Sequence, residues 1–243
     1  MKALSATFSV DYPAAMMQHL ESLTQFQENS MKIALIGASG FVGSAVLAEA
    51  LQRGHQVTAL VRHPEKLAAH EHLKALQADI HDAAATASQL AGHDAVVHAF
   101  NPGWGREDIR EQFIAGTHSI FAATNQSGVR RLLVVGGAGS LYVAPGVQLI
   151  DTPHFPAEYK EGAEGARQAL NLIQAETALD WSFISPPALL QPGERTGRFR
   201  IGGNELLMDG DHPASVSVAD LAVAIVDELE NPQHIRQRFT VGY

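Results

Sequence analysis

The chain has 243 residues, 46% hydrophobic and 18% charged, enough for one compact domain with a sizeable core. Its net charge of -9 argues against a nucleic-acid partner, because an acidic surface repels phosphate backbones. It contains no cysteine, which removes disulfides and thiol chemistry, and no apolar run nears the roughly 20 residues that span a bilayer.

The first 30 residues carry one Lys, three acids and a weak apolar stripe of Met16, Leu20, Leu23 and Phe26. Asp11 and Pro13 interrupt any signal-peptide core, so this part reads as an extension with at most a short helix, and a cytoplasmic location is expected. From residue 31 onward short β-branched runs alternate with longer helical patterns, the mark of a doubly wound parallel α/β sheet. Residues 32–36 form a first strand, 41–53 a helix ended by Gly54, and 56–61 a second strand. Pro64 suits the first turn of a short helix. A third strand follows at 73–78, a helix capped by Asp82 at 82–90, and a fourth strand at 95–100. Then come a long helix at 109–125, a fifth strand at 132–135, a helix at 157–177 and a sixth strand at 181–184. Pro and Gly break the pattern over 185–211, leaving strand-like pieces at 198–201 and 206–208 in a small substrate-side lobe. Ser217 caps a last helix, and 239–241 add a final edge strand. Without repeats or linkers, residues 31–243 read as a single Rossmann-type domain.

The first strand runs straight into Gly37-Ala38-Ser39-Gly40-Phe41-Val42-Gly43 and then a helix. Gly37 permits the sharp turn, Gly40 lets the backbone approach a pyrophosphate, and Gly43 allows close helix–strand packing. The anion then meets unpaired N–H groups at a helix N-terminus. A nicotinamide dinucleotide is the expected cofactor. An NAD site usually places an acid at the tip of the second strand, whereas this strand ends in Arg62-His63. A guanidinium meets a 2′-phosphate in bidentate fashion, so NADP(H) is expected over NAD(H), with Arg62 reading the phosphate and Lys66 assisting. The 12 histidines are scattered without metal-ligand spacing, and no metal site is expected.

The glycine loop, the strand ending in Arg62 and the run Ala78-Asp79-Ile80 together resemble the atypical short-chain dehydrogenase/reductase superfamily. The stretch Val134-Val-Gly-Gly-Ala-Gly-Ser-Leu141, the run Ser185-Pro-Pro-Ala-Leu-Leu-Gln-Pro-Gly-Glu-Arg-Thr-Gly197 and the helix start at Ser217 are similar to its candidate NADH-flavin reductase group. That group is related to biliverdin reductase B and the NmrA-like proteins, and the resemblance spans residues 31–243. It implies that Asp79 and Ile80 contact the adenine, and that Ala99, Phe100 and Asn101 line the ribose and nicotinamide side. The chain also departs from the superfamily. Alcohol-oxidising members pair Tyr with Lys four residues on, but Tyr142 is followed by Gly146 and Tyr159 by Ala163. The Ser and His used by biliverdin reductase B fall at Gly137 and Ala188, so that activity does not carry over.

Reduction of a flavin suits this poor inventory of acids, since the isoalloxazine system itself delocalises charge. The expected partner is therefore a small flavin- or quinone-like molecule, with Trp104, Tyr142 and Pro186 as pocket residues. Ser140 is the polar candidate beside the nicotinamide, with Tyr159 and Lys160 behind it. His154 reads as a surface loop residue. The alternatives are an NmrA-like sensor that binds NADP(H) without turnover, and an epimerase or dehydratase that lacks its proton relay. A homodimer through the helices at 109–125 and 157–177 is possible.

Overall fold

The computed structural model describes residues 30–243, of which Met31–Tyr243 form one compact unit. The extension, with the short helix expected on Met16, Leu20, Leu23 and Phe26, lies outside the described residues. In chain order the unit begins with β1 (Lys32–Ile36), α1 (Phe41–Gln52), β2 (Gln56–Val61), β3 (Leu73–Gln77) and α2 (Ala83–Leu90). It continues through β4 (Ala95–His98), α3 (Ile109–Ser127), β5 (Arg131–Val135), β6 (Tyr142–Ala144), β7 (Val147–Gln148) and α4 (Ala157–Gln174). The last part holds β8 (Asp180–Ser185), β9 (Leu189–Gln191), β10 (Arg200–Gly202), β11 (Met208–Asp209), β12 (His212–Pro213), β13 (Ser215–Ser217), α5 (Val218–Glu230) and β14 (Gln237–Gly242).

Eight strands form the central sheet in the order β10-β14-β8-β5-β4-β1-β2-β3. All pair in parallel except β10, which runs antiparallel to β14. The physical basis is visible in β1. Ile33 and Leu35 pack with Val46 and Leu47 of α1 and with Leu221 and Ile225 of α5. Ala34 and Ile36 pack with Leu90, Phe113, Ile120, Leu170 and Ile173 on the opposite face. A strand covered on both faces must be apolar at every position, and that makes a parallel sheet legible as unbroken hydrophobic runs. The strand order reverses between β1 and β4, which opens a crevice at their carboxyl ends.

Several boundaries differ from the sequence pattern. Strand β4 stops at His98 rather than 100, because the His98 imidazole accepts the Phe100 N–H at 3.3 Å and turns the chain out of the ladder. Helix α4 ends at Gln174 rather than 177, since the Glu176 carboxylate accepts the Ala178 N–H and holds a turn there. The strand at 239–241 is not an edge: β14 lies between β8 and β10, and β10 takes the edge. The hairpin β6–β7 was not foreseen, nor was the parallel pair β9–β13.

The lobe after β8 is fastened by Asp220, at the start of α5 and fully buried. Its carboxylate accepts the N–H groups of Thr196 and Gly197, each at 2.8 Å, the Thr196 hydroxyl, and the Tyr243 hydroxyl at 2.8 Å. Burial alone would raise this carboxyl, but the bonds from Thr196, Gly197 and Tyr243 together hold it below the usual range. Arg195 adds a bidentate pair to Glu49 of α1, at 2.7 and 2.8 Å. Asp220→Asn puts an amide donor against these donors and is expected to cost about 2 kcal/mol in denaturant unfolding. Unchanged stability would remove Asp220 as the fastener.

Candidate cofactor site

Gly37 leaves β1 with φ +89, a backbone region that L side chains rarely adopt. A Cβ on Gly37 would lie 2.4 Å from the Ala99 carbonyl oxygen, and one on Gly43 would lie 2.0 Å from the Gly37 carbonyl oxygen. The loop is thus pressed between α1 and the end of β4 with no room for a methyl group. Gly40 caps α1 without any side-chain capping bond, and Ser39, Gly40 and Phe41 are exposed. The first N–H groups of α1 therefore face an open cradle that a side chain would fill. Backbone donors, the positive end of the helix dipole and lack of bulk are what a pyrophosphate requires, so these residues fit a dinucleotide.

The other predicted cofactor residues stand at the carboxyl ends of β1, β2, β3 and β4 or at the start of α1. Ala38 is buried beneath the loop, and the Ala99 N–H donates to the Ile36 carbonyl at 3.0 Å, holding β1 and β4 together at the switch point. Val42 packs against the α1-side core. Arg62 is exposed at the tip of β2, and among the described residues its guanidinium makes no hydrogen bond or ion pair. Lys66 follows on the exposed turn Pro64–Lys66. Asp79 is exposed and its carboxylate accepts the His81 N–H at 3.0 Å, while Ile80 is buried with its carbonyl bonded by Ser119. Phe100 packs into the space left by Gly116, and the Asn101 amide oxygen accepts the Gly103 N–H at 2.8 Å. Asp79 and Asn101 therefore each fix their own turn.

Behind the turn at Phe100 lies His98, which sequence reasoning did not single out. It is fully buried among Phe100, Phe113 and Phe121. Nδ1 accepts the Phe100 N–H, so the ring proton sits on Nε2, 3.2 Å from the Thr117 hydroxyl. Burial drives its pKa down to about 4, and the ring is neutral at physiological pH.

The predicted catalytic residues Ser140, Tyr159 and Lys160 differ in burial and in partners, although the turn carrying Ser140 packs against α4. Ser140 is 2% exposed, and the Arg238 guanidinium donates to its carbonyl at 2.7 Å and to its hydroxyl at 3.2 Å. Arg238 also donates to the Asn204 side chain and carbonyl, both at 2.9 Å, and its guanidinium carbon sits 5.7 Å from the centre of the Tyr142 ring. Ser140 and Tyr142 thus belong to a packed junction between the β6–β7 hairpin and the lobe. Tyr159 instead stands edge-on to Trp104 at 5.3 Å, and Lys160 and His154 are exposed. Pro186 is buried just after β8. Arg238 escaped notice because a lone Arg in an apolar strand carries no local signal of its distant partners.

A doubly wound sheet with a side-chain-free loop and an open helix N-terminus at its switch point defines a dinucleotide-binding Rossmann protein. The chain belongs to the NAD(P)H-binding family, whose model matches residues 37–232. It is 39% identical over 214 residues to the uncharacterised protein YwnB of Bacillus subtilis, covering 87% of this chain and 98% of that one. A candidate epimerase of Bacteroides thetaiotaomicron superposes with a TM-score of 0.83 at 45% identity, over 88% of this chain and 97% of that one. A candidate NADH-flavin reductase of Streptococcus pneumoniae gives 0.77 at 35% identity, over 88% and 99%. Among the described residues no helix is long and apolar enough to cross a membrane.

Proposed function

We propose that the protein is an NADPH-dependent reductase of small, flat acceptors of the flavin or quinone type, working in the cytoplasm. The observation that carries the cofactor half is the loop–helix cradle with an uncommitted Arg62 at the tip of the neighbouring strand. When bound, the reduced nicotinamide supplies a hydride, that is two electrons and a proton. The acceptor takes its second proton from water, so no side-chain acid is needed. This fits a site in which Ser140 is held by Arg238 and Tyr159 has no lysine four residues on. The chain's own part is to bind the two rings and hold them face to face, where positioning alone supplies much of the rate.

Loss of the charged bonds in Arg62→Ala is expected to weaken NADPH binding by about 2 kcal/mol, roughly thirtyfold. NADH should bind the variant as it binds the wild type. An equal loss for both would transfer Arg62 to a surface role and leave the NADP preference without support.

The commitment of Ser140 to Arg238 also favours a second reading, a sensor that binds NADP(H) without turning it over. Following NADPH absorbance with FMN, FAD and quinones separates the two. Acceptor-dependent oxidation supports the reductase; tight binding with no oxidation supports the sensor.

A further inference from the structure

Two aromatic rings at the carboxyl end of the sheet remain largely in water. Trp104, on the loop after β4, is 59% exposed, and Tyr159, in the first turn of α4, is 49% exposed. They meet edge to face, 5.3 Å between centres at 82°. Helix α4 makes the room for this. A Cβ on Gly162 would lie 2.6 Å from the Trp104 ring, and one on Gly165 would lie 2.9 Å from Phe113. Glycine inside a helix costs roughly 0.5–1 kcal/mol against alanine, so the helix gives up stability at residue 162 to seat a tryptophan that stays more than half exposed. An indole that served only to anchor its loop would be expected to bury its ring; this one meets Gly162 through Cζ3 and Cη2 and keeps more than half of its surface open.

Resting on the reductase reading above, we propose that Trp104, seated on Gly162 and braced by Tyr159, is the stacking platform for the acceptor. The acceptor class this selects is a planar aromatic ring system, isoalloxazine-sized, rather than a small aliphatic carbonyl or a sugar. The loop carrying Trp104 leaves the sheet from β4, next to the β1–β4 switch point and on the α3–α4 face. Tyr159 is then a bracing ring and not a proton donor. Stacking of aromatic faces is tolerant of substituents, so several flavins are expected to be accepted.

Gly162→Ala is the informative variant, because structure and function should move apart. Alanine favours the helix, while its methyl group displaces the indole without altering any group that touches cofactor. With NADP⁺ present and FMN as the probe, Gly162→Ala and Trp104→Ala are each expected to raise the FMN dissociation constant about tenfold. Trp104→Phe should stay within about threefold, NADPH affinity should be unchanged, and Gly162→Ala should melt no lower than wild type. FMN should also quench wild-type tryptophan emission, since the only other tryptophan, Trp181, is buried. Unchanged FMN affinity in both alanine variants, or no FMN binding by wild type, overturns the platform. FMN binding that depends on Trp104 but yields no NADPH oxidation overturns the reductase reading and leaves the platform standing.

Discussion

Replacing Gly43 by alanine is expected to raise the dissociation constant for NADPH more than about a hundredfold, equivalent to about 2.7 kcal/mol. The added Cβ would stand 2.0 Å from the Gly37 carbonyl oxygen and 2.7 Å from its carbon. Both neighbours are backbone, so no rotamer change relieves the clash. Either α1 moves off β1, carrying its N–H groups away from the pyrophosphate, or the Gly37 turn opens and disturbs its contact with Ala99. Gly40→Ala provides the control. Its Cβ would come no closer than 3.3 Å to the Gly37 oxygen, a contact the apo fold can absorb with a small shift. That methyl group instead occupies the cradle itself. Gly43→Ala should therefore lose thermal stability and cofactor affinity together, whereas Gly40→Ala should lose affinity with stability nearly intact. Fluorescence titration with NADPH beside thermal melts reads both. Full affinity in Gly43→Ala would mean that the loop does not hold the pyrophosphate.

The second large effect is an acid-side loss of stability that sets in well above the carboxylate range. Burial among Phe100, Phe113 and Phe121 holds His98 at a pKa of about 4 in the folded protein, against about 6.5 when unfolded. Between those values the unfolded chain binds a proton that the folded one does not, so stability rises with pH across this window. The penalty is absent above pH 6.5, reaches about 2 kcal/mol at pH 5 and about 3 kcal/mol at pH 4. The carboxylates of Glu49, Asp220 and Glu228 act in the same sense further down. Burial raises each, but hydrogen bonds outweigh it and hold them low, so their contribution is present above the ordinary carboxylate pKa and lost as pH falls through the folded value. His98→Gln keeps an acceptor for the Phe100 N–H but does not titrate. Denaturant unfolding at pH 7.5, 6 and 5 should show a flatter profile for this variant. The same slope in both proteins would mean that His98 is not the group responsible. Because His98 Nδ1 accepts the Phe100 N–H, protonation of His98 should also loosen the turn that follows β4.

The fold and the glycine loop of the candidate site were legible in the order of residues alone. Alternating strands and helices, the glycine loop, the Asp82 and Ser217 caps and the crevice at the switch point depend on local preferences and on periodic burial. Those signals act within a few residues, and the structure retains each of them: Asp82 accepts the Ala85 N–H and Ser217 the Asp220 N–H, both at 3.0 Å. The short pieces of the lobe were less legible. The edge position of β10, the β9–β13 pairing and the inner place of β14 rest on partners far apart in sequence, and two- or three-residue strands have no periodicity to read.

By itself, then, the sequence determined that this is a Rossmann-type chain with a dinucleotide cradle beginning at Gly37, because a glycine pattern between strand and helix states its own geometry. Only the tertiary structure decided which distant residues meet around the remaining candidate positions. It drew Ser140 to Arg238, 98 residues away, placed a neutral His98 behind the turn at Phe100, and set Trp104 on Gly162 beside Tyr159. Such contacts join residues whose individual identities are unremarkable, and their chemistry exists only once the sheet and its two helical layers have packed.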